Sequence, residues 1–203
     1  QNEKRFINSA HEEALKEDKA RGDAIIETTV QQQKLERING KVEVNILRRG
    51  YYPEGGAKVE VTVFPARLKN LNLTERSQLK KLLAISGASE SLKEKKVAER
   101  QIAGVREILG KLNLPIEKQV EYYQTRSPGS QICLIGEFEN TVIGVDNLGK
   151  LGKRAEDVGK EAALGLLKER KSETCLDKHL ADQILPYLAL VGSKSSVTVS
   201  EIT

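Results

Sequence analysis

The sequence predicts an α+β protein with α/β-like layers, in which helices pack on small mixed sheets. Three observations predict it. Apolar residues recur at every second position in Val42, Val44, Ile46 and again in Val59, Val61, Val63, the period of a half-buried strand. Apolar residues three and four apart recur in Ile102, Val105, Leu109, which follow Val97, and in Ala155, Val158, Ala162, Ala163, Leu166, the period of an amphipathic helix. The two kinds of segment are interleaved along the chain, which calls for more than one sheet.

Taken in order, residues 2–37 are polar and helix-prone, with only a thin apolar stripe of Ala10, Ala14, Leu15 and Ala20. Gly22 separates two helical pieces, and Ile38-Asn39-Gly40 is a helix stop. The valine-rich strands read as an antiparallel pair joined by a loop holding Pro53, Gly55 and Gly56. Leu82–Ser86 reads as a short strand and Lys95–Leu112 as a helix, with Pro115 closing the connection. Strand-like runs over 116–124 and 131–138 flank the turn signal Ser127-Pro128-Gly129. Helices follow over 153–171 and 177–191, the second capped by Asp177, and Ser196–Thr203 alternates like a strand.

Of the 203 residues, 38% are hydrophobic and 31% charged, which supports a real core and excludes a disordered chain. No apolar run approaches the roughly 18 residues of a membrane span, and no signal peptide is read at the start. Cys133 and Cys175 are too few for a disulfide framework or a zinc site, so a reducing, cytoplasmic setting is expected. A net charge of +4 is too mild to argue for nucleic acid, and 4% aromatic residues argue against a generic base-stacking sheet. The chain opens on Gln1 and holds no methionine, which reads as something other than a complete open reading frame.

Three segments could carry chemistry. On the helix at 177–191, His179, Asp182, Gln183 and Pro186 fall on one face among Leu180, Ala181, Ile184, Leu185, Leu188, Ala189 and Leu190. A helix buried on most sides with one narrow polar stripe would be a site; the same stripe facing solvent at a kinked helix would not. In the loop Arg48–Gly56, two glycines allow close backbone approach, and Arg49 is a candidate phosphate or RNA contact. An ordinary strand connection is the competing explanation. Gly144–Lys150 fits the start of a phosphate-binding loop, but Leu151 stands where Ser or Thr must reach magnesium, so that match is a coincidence of glycines. His11 sits in a charged stretch without an evident partner, and no nucleophile with its base is visible.

Read together, the segments Arg49–Gly56, Leu148–Ala163 and Asp177–Leu190 resemble the C-terminal half of the RNA 3'-terminal phosphate cyclase family, and Val97-Ala98-Glu99-Arg100 adds to the likeness. Ala57 stands where the family's signature has a third glycine. The resemblance runs from about residue 35 onward. It implies a cyclase-type repeat domain of helices on four-stranded sheets, contributed by 38–71 and 173–203. A smaller α/β domain would be inserted at 72–172, and residues 1–37 would be a helical segment of unclear origin.

It also implies an ATP-dependent conversion of RNA 3'-terminal phosphates to 2',3'-cyclic phosphates through enzyme–AMP and RNA-adenylate intermediates, with Mg2+. His179 then matches a position packing on adenine, Asp182 a carboxylate near the metal, and Gln183 an amide at the nucleotide phosphates. The family's nucleophilic histidine has no match here, so the chain is expected to be an incomplete part of such an enzyme. The alternative is a catalytically silent cyclase-like factor binding RNA or protein in ribosome assembly.

Overall fold

A computed structural model describes residues 40–201, and of Lys178 and His179 it describes the backbone alone. The helical pieces expected within 1–37 lie outside the described residues. Strands β1 (Lys41–Arg48) and β2 (Lys58–Phe64) form the expected antiparallel ribbon. Their register sets Val42 opposite Val63, Val44 opposite Val61 and Ile46 opposite Val59, so one face is wholly β-branched. Short β3 (Asn72–Leu73) runs parallel to β8 (Ser196–Val197).

The central sheet has the order β5-β4-β6-β7, from β4 (Leu79–Ser89), β5 (Ile116–Tyr123), β6 (Ser130–Phe138) and β7 (Val142–Leu148). Helix α1 (Val97–Leu109) makes the crossover that brings β5 parallel to β4, while β6 returns antiparallel on the other side of β4. Helices α2 (Ala155–Lys171) and α3 (Lys178–Leu190) follow.

The two-residue period of these strands sorts their side chains into two cores. Leu82, Ala84, Ile132, Leu134 and Ile143 face α1 and α2, meeting Ile102, Val105, Leu109, Val158, Ala162 and Leu166. Leu83, Ile85, Cys133, Ile135 and Val142 face the other way, onto Leu71, Leu73, Leu176 and α3. A sheet covered on both faces explains why β6 reads as a nearly continuous apolar run.

Two glycines set how closely α1 and α2 cross. A Cβ on Gly104 would stand 2.0 Å from the Glu156 carbonyl oxygen, and one on Gly159 would stand 2.0 Å from that of Gln101. Beside this crossing the Arg100 guanidinium donates twice to the Glu156 carboxylate, both at 2.8 Å. Beneath it the buried Gln101 amide is satisfied at both ends. Its oxygen accepts from Ser86 Oγ at 2.6 Å, and its nitrogen donates to Ser130 Oγ at 3.0 Å.

The structure corrects the sequence reading in three places. The strand expected at Leu82–Ser86 spans eleven residues, extended by Leu79–Lys81 before it and by Gly87, Ala88 and Ser89 after it; a Cβ on Gly87 would meet Gln131 and Tyr123, and Ala88 and Ser89 are buried. Strand β7 was not expected. Gly144 and Asp146-Asn147 interrupt its apolar pattern, and the glycine run set aside above proves to be extended strand from Gly144 to Leu148. Among the described residues the C-terminal run is regular strand at Ser196–Val197, with a further bridge from Val199 to Leu176.

Gly104→Val should cost about 2–3 kcal/mol in urea unfolding, since the added side chain must separate two helices at their backbones. Gly110→Ala, where an added Cβ meets nothing within 4 Å, should stay within ~0.5 kcal/mol. Equal stability of the two variants would sink the account of the crossing. Acid should report on the same contact. The hydrogen bonds from Arg100 hold the Glu156 carboxyl at about 2, below its ordinary 4.5. A carboxyl depressed by folding adds stability above its unfolded pKa and loses it as pH falls through the folded value. The melting temperature should therefore fall less steeply between pH 4.5 and 2 in Glu156→Gln than in the unsubstituted protein.

Candidate functional site

The residues before α3 are fastened from two directions. Thr141 Oγ1 donates to the Cys175 carbonyl at 2.7 Å, and the Leu176 amide donates to the Thr198 carbonyl at 3.1 Å. Asp177 then caps the helix, its carboxylate accepting the Leu180 amide at 3.0 Å. From there Leu180, Ala181, Ile184 and Leu188 seat on the lower face of the central sheet. Burying each of the leucines and the isoleucine contributes roughly 2 kcal/mol.

That seating decides which residues look outward. Asp182 is exposed and Gln183 half-buried, and Leu185, Pro186, Tyr187 and Leu190 are exposed beside them. His179 lies in the first turn of the helix. Of the two arrangements open for this helix, burial on most sides is not the one found: one stripe is buried, because the sheet offers α3 a single apolar surface. Pro186 has no amide hydrogen, so the Asp182 carbonyl lacks its helical donor. Among the described residues no three of His, Cys, Asp and Glu gather as a metal-binding group.

The loop after β1 is held against the upper, polar half of the same sheet face. Arg49 lies over the Tyr123 ring, 4.4 Å to its centroid, and pairs with Glu121 at 3.5 Å. Tyr51 donates its hydroxyl to Gln131, and the Glu54 amide donates to Ser127 Oγ at 3.0 Å. Gly87 of β4 and Gly129, just before β6, make room for these rings. A Cβ on Gly129 would fall 2.2 Å from the Tyr51 ring, and one on Gly87 would fall 2.7 Å from that of Tyr123. Burial lowers the Arg49 pKa and raises that of the Tyr51 hydroxyl. Neighbouring Cys133 is also buried, which pushes its thiol up and leaves it a poor nucleophile.

Arg49, singled out from sequence as a phosphate contact, is therefore engaged by an acid and an aromatic ring of β5. Its partners Glu121 and Tyr123, and the Tyr51 partner Gln131, were not singled out. They lie about 70 to 80 positions away, and nothing in a local pattern marks them. A cleft of about 910 Å3 opens elsewhere, between Thr74–Leu79, Leu112, Leu114 and the end of α2. Its Arg76 donates to the Glu169 carbonyl at 3.1 Å and to that of Arg170, so this cation caps the C-terminus of α2.

The seating of Tyr51 can be tested by coupling. Gly129→Ala should cost about 1–3 kcal/mol with Tyr51 present, and almost nothing in a Tyr51→Ala background, where the ring it would strike is gone. Additive costs in the double variant, read from urea unfolding, would disprove that contact.

A model of the family described as RNA 3'-terminal phosphate cyclase (RTC), insert domain, matches residues 74–171. Curated relatives carry the name RNA 3'-terminal phosphate cyclase. That of Caldivirga maquilingensis is 41% identical over 169 residues, 80% of this chain and 47% of the relative. That of Pyrococcus furiosus is 42% identical over 170 residues, 83% of this chain and 48% of the relative. That of Sulfolobus acidocaldarius is 35% identical over 173 residues, 83% and 51%. The chain spans about half the length of the curated relatives it matches. With an insert-domain match and about 40% identity over most of its length, the chain belongs to the RNA 3'-terminal phosphate cyclase family.

Proposed function

We propose that this chain is part of an enzyme that uses ATP to convert an RNA 3'-terminal phosphate into a 2',3'-cyclic phosphate. The observation that carries the reading is the shared name of relatives about 40% identical over most of the chain. The chemistry proposed for the whole enzyme proceeds in three displacements. A histidine nitrogen attacks the α-phosphate of ATP, and pyrophosphate leaves. The RNA 3'-phosphate then takes AMP from that nitrogen. Finally the neighbouring 2'-hydroxyl attacks the activated phosphate, loses its proton, and expels AMP as the ring closes. His179 is not assigned the nucleophile's part.

In this reading the outward side of α3 borders the nucleotide, with His179 against adenine, Gln183 at the phosphate region and Asp182 beside Mg2+. The likeness of Asp177–Leu190 to the family's nucleotide-bordering segment supports it, and Asp182 lies on the side of α3 turned away from the sheet. One carboxylate fits magnesium in the mode where water and nucleotide phosphates complete the octahedron. The ion would supply charge neutralisation at those phosphates. Asp182 would contribute an oxygen, and Gln183 a hydrogen bond that orients the chain of phosphates. Residues 38–71 and 173–203 would belong to a repeat domain, with 72–172 inserted into it. We place the enzyme in the cytoplasm.

Incubation of the intact protein with radiolabelled ATP and Mg2+ should give an acid-labile protein–AMP adduct. Asp182→Asn should lower its yield at least tenfold at an unchanged melting temperature, and Gln183→Ala should lower it less. Labelling equal to the unsubstituted protein in both variants would remove these residues from the site. No adduct from the unsubstituted protein would favour a silent RNA- or protein-binding factor.

A further inference from the structure

The loop that buries Arg49 leaves three other cations uncompensated at its rim. Arg48 and Lys58 stand directly opposite each other in the register of β1 and β2, and both are exposed. Like charges so placed oppose strand pairing. Arg48 also donates through Nε to the Gly56 carbonyl at 2.5 Å, which turns its guanidinium toward the glycine. Arg126, exposed, reaches the same glycine from the β5–β6 connection. Its Cδ and Nε are 3.4 Å, and its Cζ 3.5 Å, from where a Gly56 Cβ would lie. Two arginines thus approach Gly56, whose φ of +79° further favours glycine, and Lys58 is the register partner of one of them.

Among the described residues none of the three has a carboxylate within 4.0 Å, whereas Arg49 next to them has Glu121. Glu54 is the nearest acid in sequence. Its amide is held by Ser127, but its carboxylate joins no ion pair among the described residues. Tyr52, in the same loop as Arg48, is 43% exposed. Guanidinium groups without an acidic partner, together with an accessible aromatic ring in that loop, suit a strand that offers phosphates and unstacked bases together.

We infer that Arg48, Lys58 and Arg126, with Tyr52, form a contact surface for the phosphodiester backbone of single-stranded RNA at the junction of the β1–β2 ribbon and the central sheet. The inference rests on the RNA-end reading above and adds a binding surface made of residues other than those proposed for the nucleotide on α3. The arginines hold phosphates, the tyrosine stacks on a base, and Arg49 fixes the loop beneath them.

The test uses the 203-residue chain and a 5'-fluorescein-labelled 12-nucleotide oligouridylate ending in a 3'-phosphate, followed by fluorescence anisotropy at several salt concentrations. Arg126→Gln, which breaks no bond to the protein, should weaken binding about fivefold at an unchanged melting temperature. The Arg48→Gln/Arg126→Gln double variant should weaken it about tenfold or more. It should also make the slope of log K against log salt shallower by about 1.4, two phosphate contacts at ~0.7 each. Tyr52→Ala should weaken binding about fivefold or more with the slope unchanged. Lys118→Gln, on the exposed outer strand β5, should leave both untouched. Unaltered affinity and slope in the double variant, or no binding by the unsubstituted chain, would overturn the inference. Adenylylation of the intact protein is read separately. Retained RNA binding without an AMP adduct dismisses the cyclase reading alone, and an AMP adduct with the double variant binding normally dismisses this surface alone.

Discussion

The arrangement depends on one constraint: the central sheet is buried on both faces, and β6 lies at the middle of that burial. A strand with only one covered face could slip by one residue and exchange buried for exposed side chains. In β6 such a slip would exchange Ile132 and Leu134 for Cys133 and Ile135 against differently shaped partners, at a loss to both cores. The Gln101 amide adds direction to this packing. It must meet Ser86 on β4 and Ser130 on β6 together, and a displaced helix would leave a buried amide without partners. The close crossing of α1 and α2 at Gly104 and Gly159 is possible only from that fixed seat.

The second face of the sheet is divided between two visitors. Its apolar part takes α3 and the short β3–β8 pair, while its polar part, bearing Glu121, Tyr123 and Gln131, takes Arg49 and Tyr51. One surface therefore positions both segments singled out for chemistry. The outward side of α3 is set by which of its residues the sheet accepts. The outward side of the loop is set by Arg49 going inward, since the residue adjacent to an inward-pointing one in extended chain points the other way, and Arg48 is exposed.

What was legible in the sequence followed from local periodicity. The β1–β2 ribbon and the helices α1, α2 and α3 carry strong periods of two or 3.6, and all lie within a few residues of where the pattern places them. Strand β7 was hidden because Gly144 and Asp146-Asn147 break its alternation. Its stability comes from hydrogen bonds to β6 and cover by α2, neither of which is a local signal. The candidate site was legible in composition but not in orientation. His179, Asp182 and Gln183 could be placed on α3, whereas the width of its buried stripe depends on a sheet face assembled from β4, β6 and β7. Arg49 was legible as an unusual residue, and its destination was not, because Glu121 and Tyr123 are distant in sequence.

The adjacent arginines 48 and 49 show how such a motif divides its work. A guanidinium stacked on Tyr123 and paired with Glu121 is desolvated and oriented, so it gives the loop a fixed shape at the expense of its own availability. The guanidinium of Arg48 at the rim is exposed and joined to the loop only through its Nε bond to the Gly56 carbonyl, so it stays available to an anion. Position alone assigns the two roles, since the side chains are chemically identical. The same logic governs α3, where Ile184 and Leu188 are held by the sheet so that Asp182 and Gln183 face outward. In both segments the residues that anchor and the residues that face outward differ by one or two positions, and the covered sheet keeps that difference from being lost.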